Sequence, residues 1–180
     1  MVTRVWTIGH STRTAETFTE LLRGERIELV ADVRSFPGSR ANPQFGRAAM
    51  RGWLGDAGIG YVHLSALGGR RDRQDVEPGI NAGWHNASFR NYADYTLTPG
   101  YEDGIAELLG LAGERRVACM CAEALPWRCH RLLIANTLAA RGVTVRHIMG
   151  DGDAEPHELG RWGATPRVAD DGTVTYPAEA

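Results

Sequence analysis

The stretch Ala118-Cys119-Met120-Cys121-Ala122-Glu123-Ala124-Leu125-Pro126-Trp127-Arg128-Cys129-His130-Arg131 decides how this chain is expected to fold. Residues 117–120 are short and apolar, as a buried parallel strand requires. Pro126 suits the first turn of a helix, and apolar residues then recur with helical spacing from Leu132 to Ala139. We therefore predict a strand, a short loop and a helix. Thiols, a carboxylate, an imidazole and guanidiniums would surround that one turn.

The rest of the chain alternates between strand and helix patterns in the same way. Strands are expected at residues 5–8, 28–33, 61–64 and 144–148, and helices at 14–22, 42–56, 88–95 and 101–111. Ser11 either offers its hydroxyl to a ligand or, like Thr12, is a candidate cap of the first helix, and Asn42-Pro43 is expected to begin the second. The alternation predicts a single three-layer α/β domain, with a mainly parallel sheet of about five strands and helices on both faces.

The end of the chain is predicted to be a polar extension of that domain. Residues 1–150 would form the α/β layers, and residues 151–180 a polar tail within the same domain. Asp171-Gly172 suits the turn of a small terminal hairpin.

Composition bounds the possible functions. The chain has 180 residues, of which 43% are hydrophobic and 23% charged, as in an ordinary soluble domain. The formal net charge of -2 provides no overall attraction to nucleic acid or membrane. All 20 basic residues are arginine, which excludes lysine chemistry such as a Schiff base. Seven arginines lie between Arg34 and Arg73, against Asp56 and Asp72. This segment is either a solvated surface or an anion-binding face.

Cysteine usage and hydropathy indicate a soluble cytoplasmic protein with reduced thiols. The three cysteines all lie within Cys119–Cys129, which is not the pattern of a disulfide framework. The first residues lack the apolar run of a signal peptide, and no segment approaches the length of a transmembrane helix. Cys119 is expected to belong to the core.

Polar residues follow the predicted strands at the ends that a parallel sheet brings to one edge. In open α/β sheets, ligands bind at that edge. We expect the following clusters to converge on one site: His10/Ser11, Asp32/Arg34, Gly68/Gly69, Cys121/Glu123 and His147.

These motifs resemble the family known as domain of unknown function 488, nearly from end to end. The residues that carry the resemblance are Thr7–Ser11, Asp32–Ser39, Leu67–Gly69, Phe89–Tyr95, Met120–Glu123, Pro126, Cys129–Arg131 and Val145–Ile148. The family implies a site but no established reaction.

A weaker likeness links the chain to rhodanese-type sulfurtransferases and the cysteine phosphatases related to them. Asp32-Val33-Arg34 and the run from Cys121 to Arg128 are similar to their strand and anion-cradling loop. The loop departs from that pattern because it holds a proline and a glutamate and no glycine. It is also one residue longer than the phosphatase loop. This likeness is an analogy.

The residues suggest a cysteine-dependent transferase or hydrolase that acts on an anionic substrate. Cys121 is the expected nucleophile, activated by a helix N-terminus and by Arg128 or His130. Glu123 suits a general base or the partner of an arginine, and His10 or His130 a proton carrier. The expected substrate-binding residues are Ser11, Asp32, Arg34, Pro37, Ser39, Gly68, Gly69, Arg128, Cys129 and Arg131.

Several alternatives remain open from the sequence. Asp32 and Arg34 either bind substrate or form structural pairs, with each other or with Arg131. Cys121 and Cys129 either pack or form a redox pair. No cofactor is predicted, and a metal site is disfavoured by the absence of paired Cys-x-x-Cys or His-x-x-x-His spacing. A nucleic-acid-binding protein that uses the arginines of residues 34–73 is a second hypothesis. A non-catalytic ligand sensor is the third.

Overall fold

A six-stranded sheet forms the centre of the molecule. The computed structural model describes residues 2–179. The strands are β1 (Arg4–Gly9), β2 (Leu29–Asp32), β3 (Gly60–His63), β4 (Val117–Cys121), β5 (Thr144–Ile148) and β6 (Glu155–Pro156). They lie in the order β3-β2-β4-β1-β5-β6, and only the pair β5 and β6 is antiparallel. The predicted α/β fold with a mainly parallel sheet is confirmed, and the short edge strand β6 is an addition to it.

Helices cover both faces of the sheet. They are α1 (Ala15–Gly24), α2 (Arg47–Asp56), α3 (Ala87–Tyr95), α4 (Pro99–Glu114) and α5 (Arg131–Ala140). The apolar faces of α1 and α2 pack in one core, and those of α3, α4 and α5 in the other. Because side chains alternate along a strand, Cys119 and Cys121 enter the α3–α5 core, whereas Ala118 and Met120 enter the α1–α2 core. The prediction that Cys119 is a core residue is confirmed.

Two helix starts differ from the sequence prediction. The cap of α1 is Thr14, whose hydroxyl accepts the N–H of Thr17 at 3.1 Å, and neither Ser11 nor Thr12. Ser11 instead takes a left-handed conformation with φ of 47°. The helix expected over residues 42–56 is interrupted, because a 3₁₀ turn at Pro43–Phe45 ends in extended backbone at Gly46 before α2 begins.

The chain ends in the predicted hairpin. Strands β7 (Arg167–Val168) and β8 (Val174–Thr175) pair antiparallel around a turn in which Gly172 has φ of 87°. Tyr176 follows β8, is buried, and packs edge-on against Trp84 in the α3–α5 core. Within residues 2–179, no helix combines the length and the apolarity that spanning a bilayer requires.

Candidate functional site

The carboxyl ends of β1 and β4 lie side by side at the centre of the sheet. Gly9 pairs with Cys121, and the N–H of His10 donates to the Cys121 carbonyl at 2.9 Å. The chain leaves β1 toward α1 on one face and β4 toward α5 on the other. This is a topological switch point, where open α/β sheets bind ligands. A Cβ at Gly9 would lie 1.7 Å from the Glu123 carbonyl oxygen, so only glycine permits this approach.

A cleft of about 820 Å³ opens beside the switch point, and we call it the thiol cleft. Its charged wall residues are Arg34, Arg70, Arg71 and Arg128 against Asp72 and Glu123. Of the sequence-predicted site residues, the cleft brings together Arg34, Gly69, Cys121, Glu123, Arg128, Cys129 and His130. The thiols therefore share one surface with four of the polar residues predicted for the site, Arg34, Glu123, Arg128 and His130.

The two cysteines of the thiol cleft are in direct contact. Their Sγ atoms lie 2.6 Å apart and both residues are free thiols. The contact depends on a break in the predicted helix: Pro126–Arg128 is a single 3₁₀ turn, and α5 begins only at Arg131. The thiol at the N-terminus of α5 is therefore Cys129, whose Sγ accepts the N–H of Arg131 at 3.4 Å. The prediction that Cys121 occupies a helix N-terminus was wrong for this reason.

The pKa values of the two thiols are shifted in opposite directions. Burial raises the pKa of Cys121, and the neighbouring Cys129 raises it further. Burial alone would also raise the pKa of Cys129, but the hydrogen bond from Cys121 and the charge and N–H of Arg131 outweigh it, so that this pKa is lowered. Cys129 is thus the sulfur that ionises first, with the remaining S–H of Cys121 as donor.

His130 is oriented so that one ring nitrogen faces Cys129. Its Nε2 lies 2.7 Å from the carbonyl oxygen of Val33, which can only accept, so Nε2 carries the proton. The neutral ring then presents an unprotonated Nδ1, which lies 3.3 Å from Sγ of Cys129. Burial lowers the pKa of His130, so the ring is neutral near pH 7. An imidazole held in this way can take the proton of the thiol.

Arg131 lies behind the cleft wall. The residue is 0% exposed, and its guanidinium donates to Thr7 Oγ1 at 2.9 Å and to the carbonyl oxygens of Glu123 and Ala124 at 2.8 and 3.3 Å. Among residues 2–179, its Nε–H has no hydrogen-bond partner. Arg131 was predicted to bind substrate; its position instead makes it a buried cation beside the thiols that also holds the loop after β4.

Asp32 and Arg34 pair with each other, one of the two roles that the sequence left open. Two guanidinium nitrogens of Arg34 bond to the two carboxylate oxygens of Asp32, at 2.9 and 2.7 Å. Asp32 is 0% exposed and also accepts the hydroxyl of Tyr61. Arg34 donates to the Phe45 carbonyl at 2.8 Å, while NH1 faces Nε2 of His10 at 3.4 Å. Little of the Arg34 guanidinium remains for a ligand.

A second hollow of about 450 Å³ adjoins the thiol cleft, and we call it the His10 hollow. His10, Ser11 and Ser39 line it, and it shares Glu123 and Arg128 with the thiol cleft. Nδ1 of His10 donates to the Ser11 carbonyl at 2.8 Å, and burial lowers the pKa of His10. The imidazole is therefore a neutral group near pH 7, with Nε2 unprotonated.

Glu123 and Arg128 present exposed side chains between the two hollows. Within the described part of the chain, neither side chain forms a hydrogen bond or an ion pair with another residue. The backbone of Glu123 is engaged, because its carbonyl accepts from Arg131 and lies 3.6 Å from Sγ of Cys121. These two side chains are the charged groups most available to a ligand that enters either hollow.

Three other predicted residues support the walls. A Cβ at Gly68 would lie 2.6 Å from Oγ of Ser35, so glycine permits close packing of the two loops. Pro37 lines neither hollow, and its carbonyl accepts the N–H of Arg47 at 3.2 Å. Oγ of Ser39 accepts the N–H of Asn42 at 2.9 Å, which stabilises the loop beside the His10 hollow.

His147 does not join the site edge as the sequence predicted. It is 0% exposed and contacts Thr7 and His157 behind β1. Thr7 and His147 are direct neighbours in the parallel register of β1 and β5, a relation that strand alignment in the sequence could have revealed. Among the residues that the structure describes, no three His, Cys, Asp or Glu side chains are grouped to hold one metal ion.

Comparison with known proteins yields one match. No curated protein matches the chain, and no solved structure does. The family model covers the segments around Asp32, Gly69, Cys121 and Cys129, while β1 and β5 fall outside it. The chain therefore belongs to the family described as "Domain of unknown function DUF488", whose model matches residues 14–138, more than half of its length.

Proposed function

We propose that this protein is a thiol-dependent enzyme that transfers a sulfur atom from an anionic donor, with Cys129 as the nucleophile. The observation that carries the proposal is the contact between Cys129 and Cys121 in a cleft whose wall carries four arginines and two acidic residues. A sulfur anion is attracted by Arg70 and Arg128 and then meets the thiol with the lowered pKa. The expected nucleophile thus moves from Cys121 to Cys129.

The transfer runs in two balanced steps with a sulfane-sulfur anion such as thiosulfate as donor. The Cys129 thiolate attacks the outer sulfur, a Cys129 S–S bond forms, and the S–S bond of the donor breaks with its electron pair leaving on sulfite. A thiolate or cyanide acceptor then attacks the terminal sulfur of the persulfide and regenerates the Cys129 thiolate. No net oxidant or reductant is consumed.

The groups around Cys129 each have a role in these steps. Nδ1 of His130, 3.3 Å away, takes the thiol proton before attack. Once Cys129 has lost its proton, the S–H of Cys121, whose Sγ lies 2.6 Å away, donates to the thiolate and again to the leaving thiolate of the second step. Arg128, exposed between the hollows, binds the donor anion and lets sulfite leave toward the His10 hollow.

Phosphoryl transfer is less well supported by the loop after Cys121. A phosphoryl group needs several backbone N–H groups directed at its oxygens. Here the carbonyl oxygens of Glu123 and Ala124 point to Arg131, and the loop has no glycine to turn its amides toward an anion. In the proposed sulfur transfer, the exposed guanidiniums of Arg70 and Arg128 would bind the donor anion in place of a cradle of backbone amides.

The arginines of residues 34–73 lend less support to the nucleic-acid hypothesis. Arg34 is bonded to Asp32, and Arg71 donates to the carbonyls of Gly68 and Ser65. These two of the seven arginines are held against the protein and are less available to bind phosphates. Reduced thiols at the site fit a reducing compartment such as the cytoplasm.

The test is transfer from thiosulfate, with sulfite release and thiocyanate formation from cyanide as readouts. Wild-type protein is expected to gain one sulfur on Cys129, seen by mass spectrometry of the intact protein and its peptides. Cys129→Ala is expected to abolish the gain, and Cys119→Ala, which removes a buried thiol outside the cleft, is expected to retain it. The proposal would be overturned if folded wild-type protein neither released sulfite from thiosulfate nor gained a sulfur on Cys129 from an organic persulfide, whose leaving group is a thiolate.

Cys121→Ala separates the proposed enzyme from a ligand sensor. The enzyme requires slower transfer in this variant, because the donor to the Cys129 thiolate is lost. A sensor whose cysteines only pack would bind sulfite or thiosulfate equally well in wild type, Cys121→Ala and Cys129→Ala, with no transfer in any of them.

A further inference from the structure

A buried hydrogen-bond network begins at Arg131 and runs away from the thiol cleft. NH1 of Arg131 donates to Oγ1 of Thr7 at 2.9 Å, and Thr7 lies 2.6 Å from Nδ1 of His147. Arg131, Thr7 and His147 are each at most 1% exposed. Water therefore does not supply these bonds, and the orientation of each group depends on the next one.

The network continues into the segment that follows β5. Nε2 of His147 lies 2.9 Å from Nδ1 of His157, and Nε2 of His157 lies 2.8 Å from Oδ1 of Asn136. Asn136 is itself fixed, because its Nδ2 donates to the hydroxyl of Tyr176 at 3.0 Å. Residues from β1, α5, β5 and the C-terminal segment thus form one connected set.

The hydrogen bonds of this network can all be satisfied by one assignment of donors and acceptors. Oδ1 of Asn136 only accepts, so Nε2 of His157 donates to it and Nδ1 of the neutral ring accepts from His147. Nδ1 of His147 is then unprotonated and accepts the hydroxyl proton of Thr7. The oxygen of Thr7 is left to accept from Arg131. Neutral histidines are consistent with burial, which lowers the pKa of His147 to about 3 and of His157 to about 4.

We infer that His147 and His157 are positioning residues that hold the Arg131 guanidinium beside the thiol pair, so that the segment after β5 completes the site. Arg131 has two fixed ends: NH2 is bound by the carbonyls after β4, and NH1 by Thr7. Without the second end, NH1 is a buried donor without a partner, and the cation shifts from its place.

The inference rests on the proposed function only in taking Cys129 as the reactive thiol. Its chemical content is that the charge of Arg131 favours the Cys129 thiolate, and that the network sets the position of this charge. The titratable groups that face Cys129 are Cys121, His130, Arg131 and Tyr92. Those that face His157 are His147 and Arg161, which pairs with Glu155.

The test measures the pH dependence of Cys129 alkylation by iodoacetamide, resolved by peptide mass spectrometry. Thr7→Val removes the hydroxyl at similar size, and Thr7→Ser retains it. His157→Leu removes the hydrogen bonds with His147 and Asn136 at the far end of the network. His157→Gln retains one acceptor and one donor in the side chain. Thr19→Val is the matched control, because Thr19 is a mostly buried threonine of α1 outside the network. Circular dichroism and urea unfolding confirm that each variant is folded.

In Thr7→Val and His157→Leu, we expect the alkylation curve to move to higher pH. At a pH below the transition, the thiolate fraction falls tenfold for each unit by which the pKa of Cys129 rises. A rise of a fraction of a unit would therefore lower the alkylation rate on the order of threefold. Thr7→Ser, His157→Gln and Thr19→Val are expected to stay close to wild type. Curves that coincide for all folded variants would overturn the inference, whether or not the protein transfers sulfur. A shifted curve with no transfer by wild type would sustain the inference and refute only the proposed function.

Discussion

Gly69 lies directly against the imidazole of His130. A Cβ at residue 69 would come within 2.4 Å of Nδ1, the nitrogen that faces Cys129. The ring cannot retreat easily, because Nε2 is bound to the Val33 carbonyl and the ring of Tyr92 packs edge-on at 5.0 Å. Residue 69 is therefore glycine because the imidazole of His130 leaves no room for a Cβ, and not because the turn requires glycine.

Gly69→Ala is expected to displace His130 and slow the reaction of Cys129. Because the oriented base is lost, we expect both sulfur transfer and alkylation at neutral pH to be slower by about tenfold or more. Gly110→Ala in α4 is a suitable control, because a Cβ there meets nothing within 4 Å. If Gly69→Ala reacts at the wild-type rate while remaining folded, His130 has no part in activating the thiol.

Asp32→Ala is expected to destabilise the fold strongly. The substitution leaves the guanidinium of Arg34, 7% exposed, without its carboxylate, which typically costs about 3–5 kcal/mol. The exposed pair Arg141–Glu102 provides the comparison, since Glu102→Ala is expected to cost about 1 kcal/mol or less. Urea unfolding measures both free energies. Equal small losses would mean that Arg34 finds another partner or is solvated in the variant.

The sequence was a good guide to the fold and to which strand ends share one edge of the sheet. Strands β1 and β4 are mostly apolar, so their positions followed from the pattern, and parallel strands place Gly9 and Cys121 at one edge. Of the glycine pair that was predicted for the site, Gly69 lines the thiol cleft and Gly68 packs against Ser35.

The distribution of roles among the polar residues could not be predicted from pattern. The difference between Cys121 and Cys129 depends on where α5 begins, and one 3₁₀ turn moved that start to Arg131. The sequence could not decide between a ligand and Asp32 as the partner of Arg34. Asp32 also accepts the hydroxyl of Tyr61, which is distant in sequence. Such contacts are set by three-dimensional packing, and the spacing of residues along the sequence does not predict them.

Arg128→Gln is expected to weaken donor binding without changing stability. The side chain is exposed, and within residues 2–179 it forms no hydrogen bond or ion pair that its loss would break. We expect the KM for thiosulfate to rise about tenfold and to depend less on salt, with kcat little changed. Arg47→Gln, on α2 and outside both hollows, is the matched control. A KM that is unchanged in Arg128→Gln would exclude this arginine from the binding site.

The buried histidines predict a loss of stability on acidification. In the folded protein the pKa of His147 is about 3 and that of His157 about 4, against 6.5 in the unfolded chain. Above pH 6.5 both states hold neutral imidazoles, and the contribution to stability is complete. Between 6.5 and about 4 the unfolded chain binds protons that the folded protein does not, so the free energy of unfolding falls with pH. The slope is at most about 1.4 kcal/mol per pH unit for each histidine, and smaller for the partly exposed His157.

His157→Gln is expected to flatten this acid limb, because glutamine does not titrate and retains an acceptor and a donor. Urea unfolding near pH 7.5 and near pH 5 gives the loss for each protein, at conditions on either side of the unfolded pKa. The loss should be smaller in His157→Gln than in wild type. His85→Gln, which removes an exposed histidine, should lose as much as wild type. An equal loss in all three proteins would show that the acid sensitivity arises from groups outside the network, and that His157 is already solvated in the folded state.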